Sequence, residues 1–311
     1  MTPAERKGLW LGFVGVAIFA LTLPMTRLAV GTPEAPLMSG VFIALGRAVG
    51  AAGLCALFLF ATGAPLPKRA DWWPLAVTWG GVVFGFPLFT SVAMRYVEAV
   101  HASVIVGVLP LATALVGALL HRQRPSAGFW ACAAPGSVLV VAFALLRGGA
   151  GGLRLHPADL LLLAGMASAA VGYAYGGRLS QHMRAEHVIC WALVIALPLT
   201  LPLAAWARPL QAMPASAWGG FAYVAVFSMW IGFFAWYRGL ALGGTVRVSQ
   251  VQLVQPFMSM LFAVPLLGER LDILTLGFAL AVIATVFAGR KMPVRGAAPA
   301  ASLVPAAVEP R

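Results

Sequence analysis

Ser249, Gln252, Pro256, Ser259 and Ala263 recur at helical spacing in an otherwise apolar stretch, sharing an arc of about 80° at 100° per residue. Ser103, Gly107, Pro110, Thr113 and Gly117 form the same kind of stripe in an earlier stretch. Hydroxyls and side-chain amides donate and accept hydrogen bonds, so the chemistry they offer here is recognition. Gln252 and Gln255 suit a neutral polar or zwitterionic ligand. Close packing of helices also favours small and hydroxyl residues, so ligand contact and packing both account for the stripes. The prolines add a further argument. A mid-helix Pro lacks the N–H that would bond the carbonyl four residues earlier. Pro110 is expected to free the carbonyl of Val106 and Pro256 that of Gln252, with the two breaks facing each other near mid-membrane. Such carbonyls are tolerated at that depth only where protein or a water-filled cavity surrounds them.

Other residue types widen the candidate set. Arg47 lies near the middle of a second apolar stretch, where a charge is costly and suggests a task such as holding a carboxylate. A structural role is the alternative. Aromatic residues crowd three further stretches: Phe84, Phe86, Tyr173, Tyr175, Trp230, Phe233 and Tyr237. Phe84, Tyr175 and Trp230 are candidates to line a cavity or clamp an apolar side chain, against the alternative of packing or lipid contact. None of the nine acidic residues falls centrally in an apolar stretch, so a buried titrating carboxylate is not at hand. For proton coupling this leaves His101, whose pKa range suits the task, with Glu98 beside it. A uniporter or exchanger requires neither. An enzyme, the rival class, is not expected: GxSxG, HExxH and paired central Asp are absent, and His101 and Ser103 point about 200° apart on a helix. Cys55, Cys132 and Cys190 lack CxxC spacing and read as packing residues. No catalytic residue, metal ligand or cofactor is expected.

The elements that must carry these residues follow from composition. The chain has 311 residues, 61% hydrophobic and only 10% charged, against about 25% charged in a soluble domain. The apolar residues fall in runs of about twenty, the length that crosses a bilayer core as a helix. Ten spans are expected, at 9–30, 38–61, 73–94, 100–120, 127–146, 159–179, 188–207, 216–237, 245–267 and 271–289. The expected fold is an all-α integral membrane protein. Its parts are a short N-terminus (1–8), two five-helix units (9–146 and 159–289), an external linker (147–158) and an Ala- and Pro-rich disordered tail (290–311). The first apolar run continues to Val30 without an Ala-x-Ala site, so it reads as a retained span. The net charge of +12 fits the positive-inside rule better than nucleic acid: with the N-terminus inside, thirteen basic residues fall on the cytoplasmic side and five outside. Both termini are expected in the cytoplasm, with the chain multi-pass in the cell (inner) membrane. Its expected partners are a small-molecule substrate and the lipid bilayer, as monomer or homodimer.

A shift of 146 positions places Ser103 on Ser249, Pro110 on Pro256, Thr113 on Ser259, Arg124 on Arg270 and Phe84 on Trp230. Two halves of five spans then have opposite orientation, an inverted repeat of the kind common in secondary transporters. At these residues the chain resembles a known family. The stretch Phe19-Ala20-Leu21-Thr22-Leu23-Pro24-Met25-Thr26-Arg27 is similar to the first-helix signature of the EamA-type drug/metabolite transporter superfamily. Val254-Gln255-Pro256-Phe257, running on to Leu266-Leu267-Gly268-Glu269-Arg270-Leu271, resembles that family's motif at the end of its ninth helix. Two positions depart from the pattern: Phe19-Ala20 stands where the family has Trp-Gly, and Gln123 stands where the repeat has Glu269. The resemblance implies an exporter or exchanger of small metabolites and leaves the substrate open. The sequence therefore leads to alternating access at a midplane cavity, for amphipathic, amino-acid-like substrates. The alternative is a membrane sensor or scaffold without flux.

Overall fold

In the computed structural model, residues 2–120 and 156–289 are described continuously. Between and beyond them only 124, 125, 127, 128, 131, 135, 136, 138, 139, 142, 143, 146, 294 and 295 are described. Half of the expected fifth span (127–146), most of the linker and most of the tail therefore lie outside the described residues, and the ten described positions of that span are helical. Among the described residues seven helices are long and apolar enough to cross a membrane: Pro3–Val30, Gly40–Ala61, Arg69–Ala93, Ala99–Leu120, Pro157–Leu179, Ala185–Trp206 and Ala215–Gly243. Two shorter apolar helices, Val251–Leu267 and Ile273–Gly289, follow. These fill the positions expected for spans one to four and six to ten, and those ordinals are kept below. The first helix begins at Pro3 rather than residue 9, and the eighth runs on to Gly243. A two-residue antiparallel bridge joins Arg124–Pro125 to Val294–Arg295.

Local chemistry fixes where these helices start and stop. The Ser39 hydroxyl accepts from the Phe42 N–H at 3.0 Å. His156 Nδ1 accepts from the Ala158 N–H, and Asp159 Oδ2 accepts from the His156 N–H. Each supplies a partner to donors that a helix start leaves unpaired. Gly268 ends span nine in the left-handed region at φ 67°, a conformation that a side chain disfavours. Large apolar side chains such as Phe60, Leu261 and Ile273 remain exposed around the bundle, as a lipid-facing surface requires.

Packing runs through small residues. Span one lies along span eight, where a Cβ on Gly239 would come within 2.8 Å of the Gly12 nitrogen and 2.9 Å of the Gly8 oxygen. Span three meets span six in the same way, with Gly81 against the Ser168 carbonyl and Gly172. Spans two and seven pack together, and spans four and nine cross. Close backbone approach of this kind replaces the hydrophobic effect as the source of helix association in lipid.

Several spans are interrupted. Span one changes course at Leu21, three residues before Pro24. Pro24 leaves the Ala20 carbonyl without its helical donor, and the buried Ser259 hydroxyl of span nine donates to that oxygen at 2.7 Å. Span three is π-helical over Trp79–Gly85 and span eight over Val224–Ile231. The second π stretch begins 145 residues after the first and ends 146 after it. Span four breaks at Gly107–Val108, just before Leu109–Leu120. Span nine, expected as one α-helix, is α-helical over Thr245–Val248, 3-10 over Ser249–Val254 and α-helical again from Gln255.

Candidate functional site

The 3-10 segment sharpens the polar stripe of span nine. Side chains three apart eclipse one another in a 3-10 helix, so Ser249, Gln252 and Gln255 stand in one row. From Gln255 the α-helix continues that row to Ser259 and Ala263. All five are buried, whereas Val254, Leu261 and Val264 are exposed. Gln252 is 1% exposed and neither end of its amide has a hydrogen-bond partner; Gln255 Oε1 is likewise unpartnered. Span four supplies the facing wall, because Leu109–Leu120 packs on Ser249–Val254. Its Thr113 is buried with an unpartnered hydroxyl. Buried polar atoms without partners are uncommon in folded proteins and call for an explanation.

Other expected residues are placed differently. Pro110 and Pro256 are both buried, but the close approach is between Gly107 and Pro256: a Cβ on Gly107 would sit 3.7 Å from the Pro256 ring. Gln252's carbonyl is not free, since the Gln255 N–H bonds it across the tighter 3-10 turn. Ser103 turns back on its own helix, its hydroxyl donating to the Ala99 carbonyl at 2.6 Å. Phe84 and Trp230 both fall inside the π stretches and are half-buried. Phe84 packs edge-on to Trp79 and Trp230 to Phe234, and the Trp230 Nε1 is buried without an acceptor.

The aromatic wall at the meeting of spans one, six and eight is larger than the sequence alone indicates. Phe19 lies 5.1 Å from Phe233, Tyr173 lies 5.3 Å from Trp236, and Phe233 lies 5.2 Å from Tyr237. Trp236, with no exposed surface, has an unpartnered Nε1. Phe19, at the position where the sequence departs from the family's Trp, is part of this wall. Arg47 of span two is buried too, and the Tyr173 phenol is within its electrostatic reach.

Cavities open at both ends of the bundle. One of about 620 Å³ is lined by Arg27, Glu98, Glu269 and Arg270 with neighbouring loop residues. There Glu269 reaches across to span four, its carboxylate accepting from the Ala99 and Val100 N–H groups at 2.8 and 2.7 Å. Burial holds the Glu269 carboxyl above its ordinary range, against the opposing pull of those two bonds. Glu98 is the residue that precedes the helix start, and His101 does not pair with it. His101 Nε2 instead meets the buried Asp159 of span six at 2.7 Å. Arg27 donates to the Met94 and Arg95 carbonyls, and Arg95 returns a bond to Met38. The second cavity, of about 560 Å³, lies at the opposite end and is lined by Lys68, Asp71, Trp73, Tyr175, Arg178 and His182. Tyr175 thus belongs to an end cavity rather than to the centre. Among the described residues no group of His, Cys, Asp and Glu could hold a metal ion.

Comparison with known proteins agrees with this architecture. A solved crystal structure matches 91% of this chain and 98% of its own, with a TM-score of 0.63 at 19% identity, a likeness of fold alone. The Bacillus subtilis (strain 168) protein named "Uncharacterized transporter YdeK" is 43% identical over 285 residues, covering 91% of this chain and 96% of that protein. The profile described as "EamA-like transporter family" matches residues 6–146 and again 156–289. The chain is a multi-pass membrane transporter belonging to the EamA-like transporter family.

Proposed function

We propose that the chain is a secondary transporter that carries small amphipathic metabolites out of the cytoplasm by alternating access. The observation that carries this reading is the buried row Ser249–Gln252–Gln255, where two amide side chains hold polar atoms without protein partners. A ligand bearing a hydrogen-bonding head and an apolar body satisfies both that row and the aromatic wall. The substrate-binding set is Ser249, Gln252, Gln255, Pro256, Thr113, Trp230 and Arg47, with Ser103, Pro110 and Phe84 shaping the helices around it. Matching π stretches near a 146-residue offset, and two profile matches in one chain, support two inverted five-helix repeats. The count of basic residues assigns the Asp71 end to the cytoplasm and the Glu269 end to the outside. On that assignment His101 with Asp159, and Glu98 with Glu269, are the titratable groups at the outer mouth. The test is an export screen on overproducing cells, followed by uptake into proteoliposomes at two external pH values. Transport of at least one amphipathic metabolite above empty vesicles is expected, and none across the screen refutes the reading.

A further inference from the structure

Arg47 is the eighth residue of Gly40–Ala61, about 10 Å in from the helix end at 1.5 Å per residue. It is 1% exposed, and its Nε and Nη1 have no hydrogen-bond partner. A guanidinium is always charged and carries five donors in a rigid fork, so a buried one with unpartnered donors is among the costliest groups a membrane helix can hold. Among the described residues Arg47 forms no ion pair, and the stretch 127–146 contains no Asp or Glu. Asp159 and Asp71 are engaged by His101 and His182, and Glu269 is engaged by the start of span four.

The surroundings ask for the same missing partner. The indole Nε1 atoms of Trp230 and Trp236 are also buried donors without acceptors. Tyr173, within electrostatic reach of Arg47, packs on Trp236. These residues therefore hold a surplus of N–H donors, whereas the row on span nine offers the amide oxygens of Gln252 and Gln255. The end cavities differ in charge in the same sense. Lys68 and Arg178 stand against Asp71 alone at one end, while Arg27 and Arg270 balance Glu98 and Glu269 at the other.

We propose that Arg47 anchors a carboxylate on the transported metabolite, with the apolar body of that metabolite against the Tyr173–Trp236 wall. The assignment rests on the transporter reading above and narrows its substrate class to carboxylates. An anionic substrate is drawn to the cationic cavity, held by the guanidinium fork within the bundle, and released at the balanced end.

The test uses the full chain in cells, comparing untargeted metabolite changes in the medium, gains and losses alike, for wild type, Arg47→Gln and Arg47→Lys at equal membrane abundance. Compounds moved by the wild type are expected to carry a carboxylate. Their rate should fall at least about 10-fold in Arg47→Gln, the loss of a charge-assisted hydrogen bond, and less in Arg47→Lys, which keeps the charge without the fork. The moved compound is then offered to wild-type proteoliposomes beside its carboxamide, which should be transported at least about 10-fold more slowly. This second measurement decides the matter should Arg47→Gln fail to fold. No change in the medium for wild type overturns the transporter reading and this assignment with it. Transport of neutral or cationic compounds only, equal transport of acid and carboxamide, or unchanged rates in a folded Arg47→Gln overturns the carboxylate anchor and leaves the transporter reading standing.

Discussion

Replacing Glu269 tests a contact that ties the turn after span nine to the start of span four. Its carboxylate accepts from the N–H groups of Ala99 and Val100 at 2.8 and 2.7 Å. These are the first two amides of the helix Ala99–Val106, and a helix start cannot satisfy them internally. Glu269→Ala removes both bonds together with a negative charge at the positive end of the helix. Losing a side-chain cap costs about 0.5–2 kcal/mol, and two charge-assisted bonds put this case at the upper end, about 2 kcal/mol. For a chain of this size that corresponds to a fall in melting temperature on the order of 5 °C. Glu269→Gln keeps one acceptor and should lose about half as much. The pH dependence has a definite sign. Because burial raises the folded-state pKa above its ordinary 4.5, the stability this carboxyl contributes is greatest below 4.5 and declines as pH rises through the raised value. Wild type should therefore gain stability relative to Glu269→Gln as pH is lowered through the raised value toward 4.5. The assay is thermal unfolding of the purified protein in nanodiscs at several pH values. Glu269→Ala melting with the wild type, or a wild-type curve parallel to that of Glu269→Gln across pH, refutes the argument.

Three other substitutions separate function from packing. Gln252→Met removes two unpartnered polar ends, so it should raise stability by about 1 kcal/mol while transport falls at least about 10-fold; a less stable protein with intact flux contradicts this. Ser259→Ala leaves the Ala20 carbonyl without a donor and should cost about 1–2 kcal/mol in thermal unfolding; an unchanged melting point dismisses that bond. Gly239→Ala drives a methyl into the backbone of Gly8 and Gly12 and should cost about 3 kcal/mol, read as loss of folded protein on size-exclusion chromatography; a normal profile refutes the close contact between spans one and eight.

Much of the bundle was legible because a bilayer imposes a simple rule: apolar runs of about twenty residues must be helices. Nine of the ten expected runs correspond to described helices, and the remaining one is described at only half of its positions. The stripe Ser249, Gln252, Pro256, Ser259 and Ala263 was legible as one buried face, whereas Gln255 stood outside it and joins Ser249 and Gln252 only in the 3-10 turn. The 3-10 geometry that aligns them was not legible, because 3-10 and α segments differ by a fraction of a residue per turn and share a composition. The π stretches are hidden for the same reason, although the correspondence of Phe84 with Trp230 pointed to the right places. Partners far apart in the chain left no local trace. His101 meets Asp159 rather than the adjacent Glu98, and Ser259 reaches the kink that Pro24 makes in another helix. The aromatic wall was half visible: Tyr173 and Phe233 stood out as crowded aromatics, while Phe19 entered only through the family signature.

The paired π stretches carry a mechanical consequence. A turn closed over five residues instead of four holds one residue more than an α-helix of equal length, like slack stored in a spring. Giving that residue back would turn everything beyond it by about 100° and slide it by about 1.5 Å, with the backbone bonds merely changing partners. Spans three and eight each hold such a reserve at matching depth. Each span can thus re-aim its own aromatic, Phe84 or Trp230, without unravelling the rod.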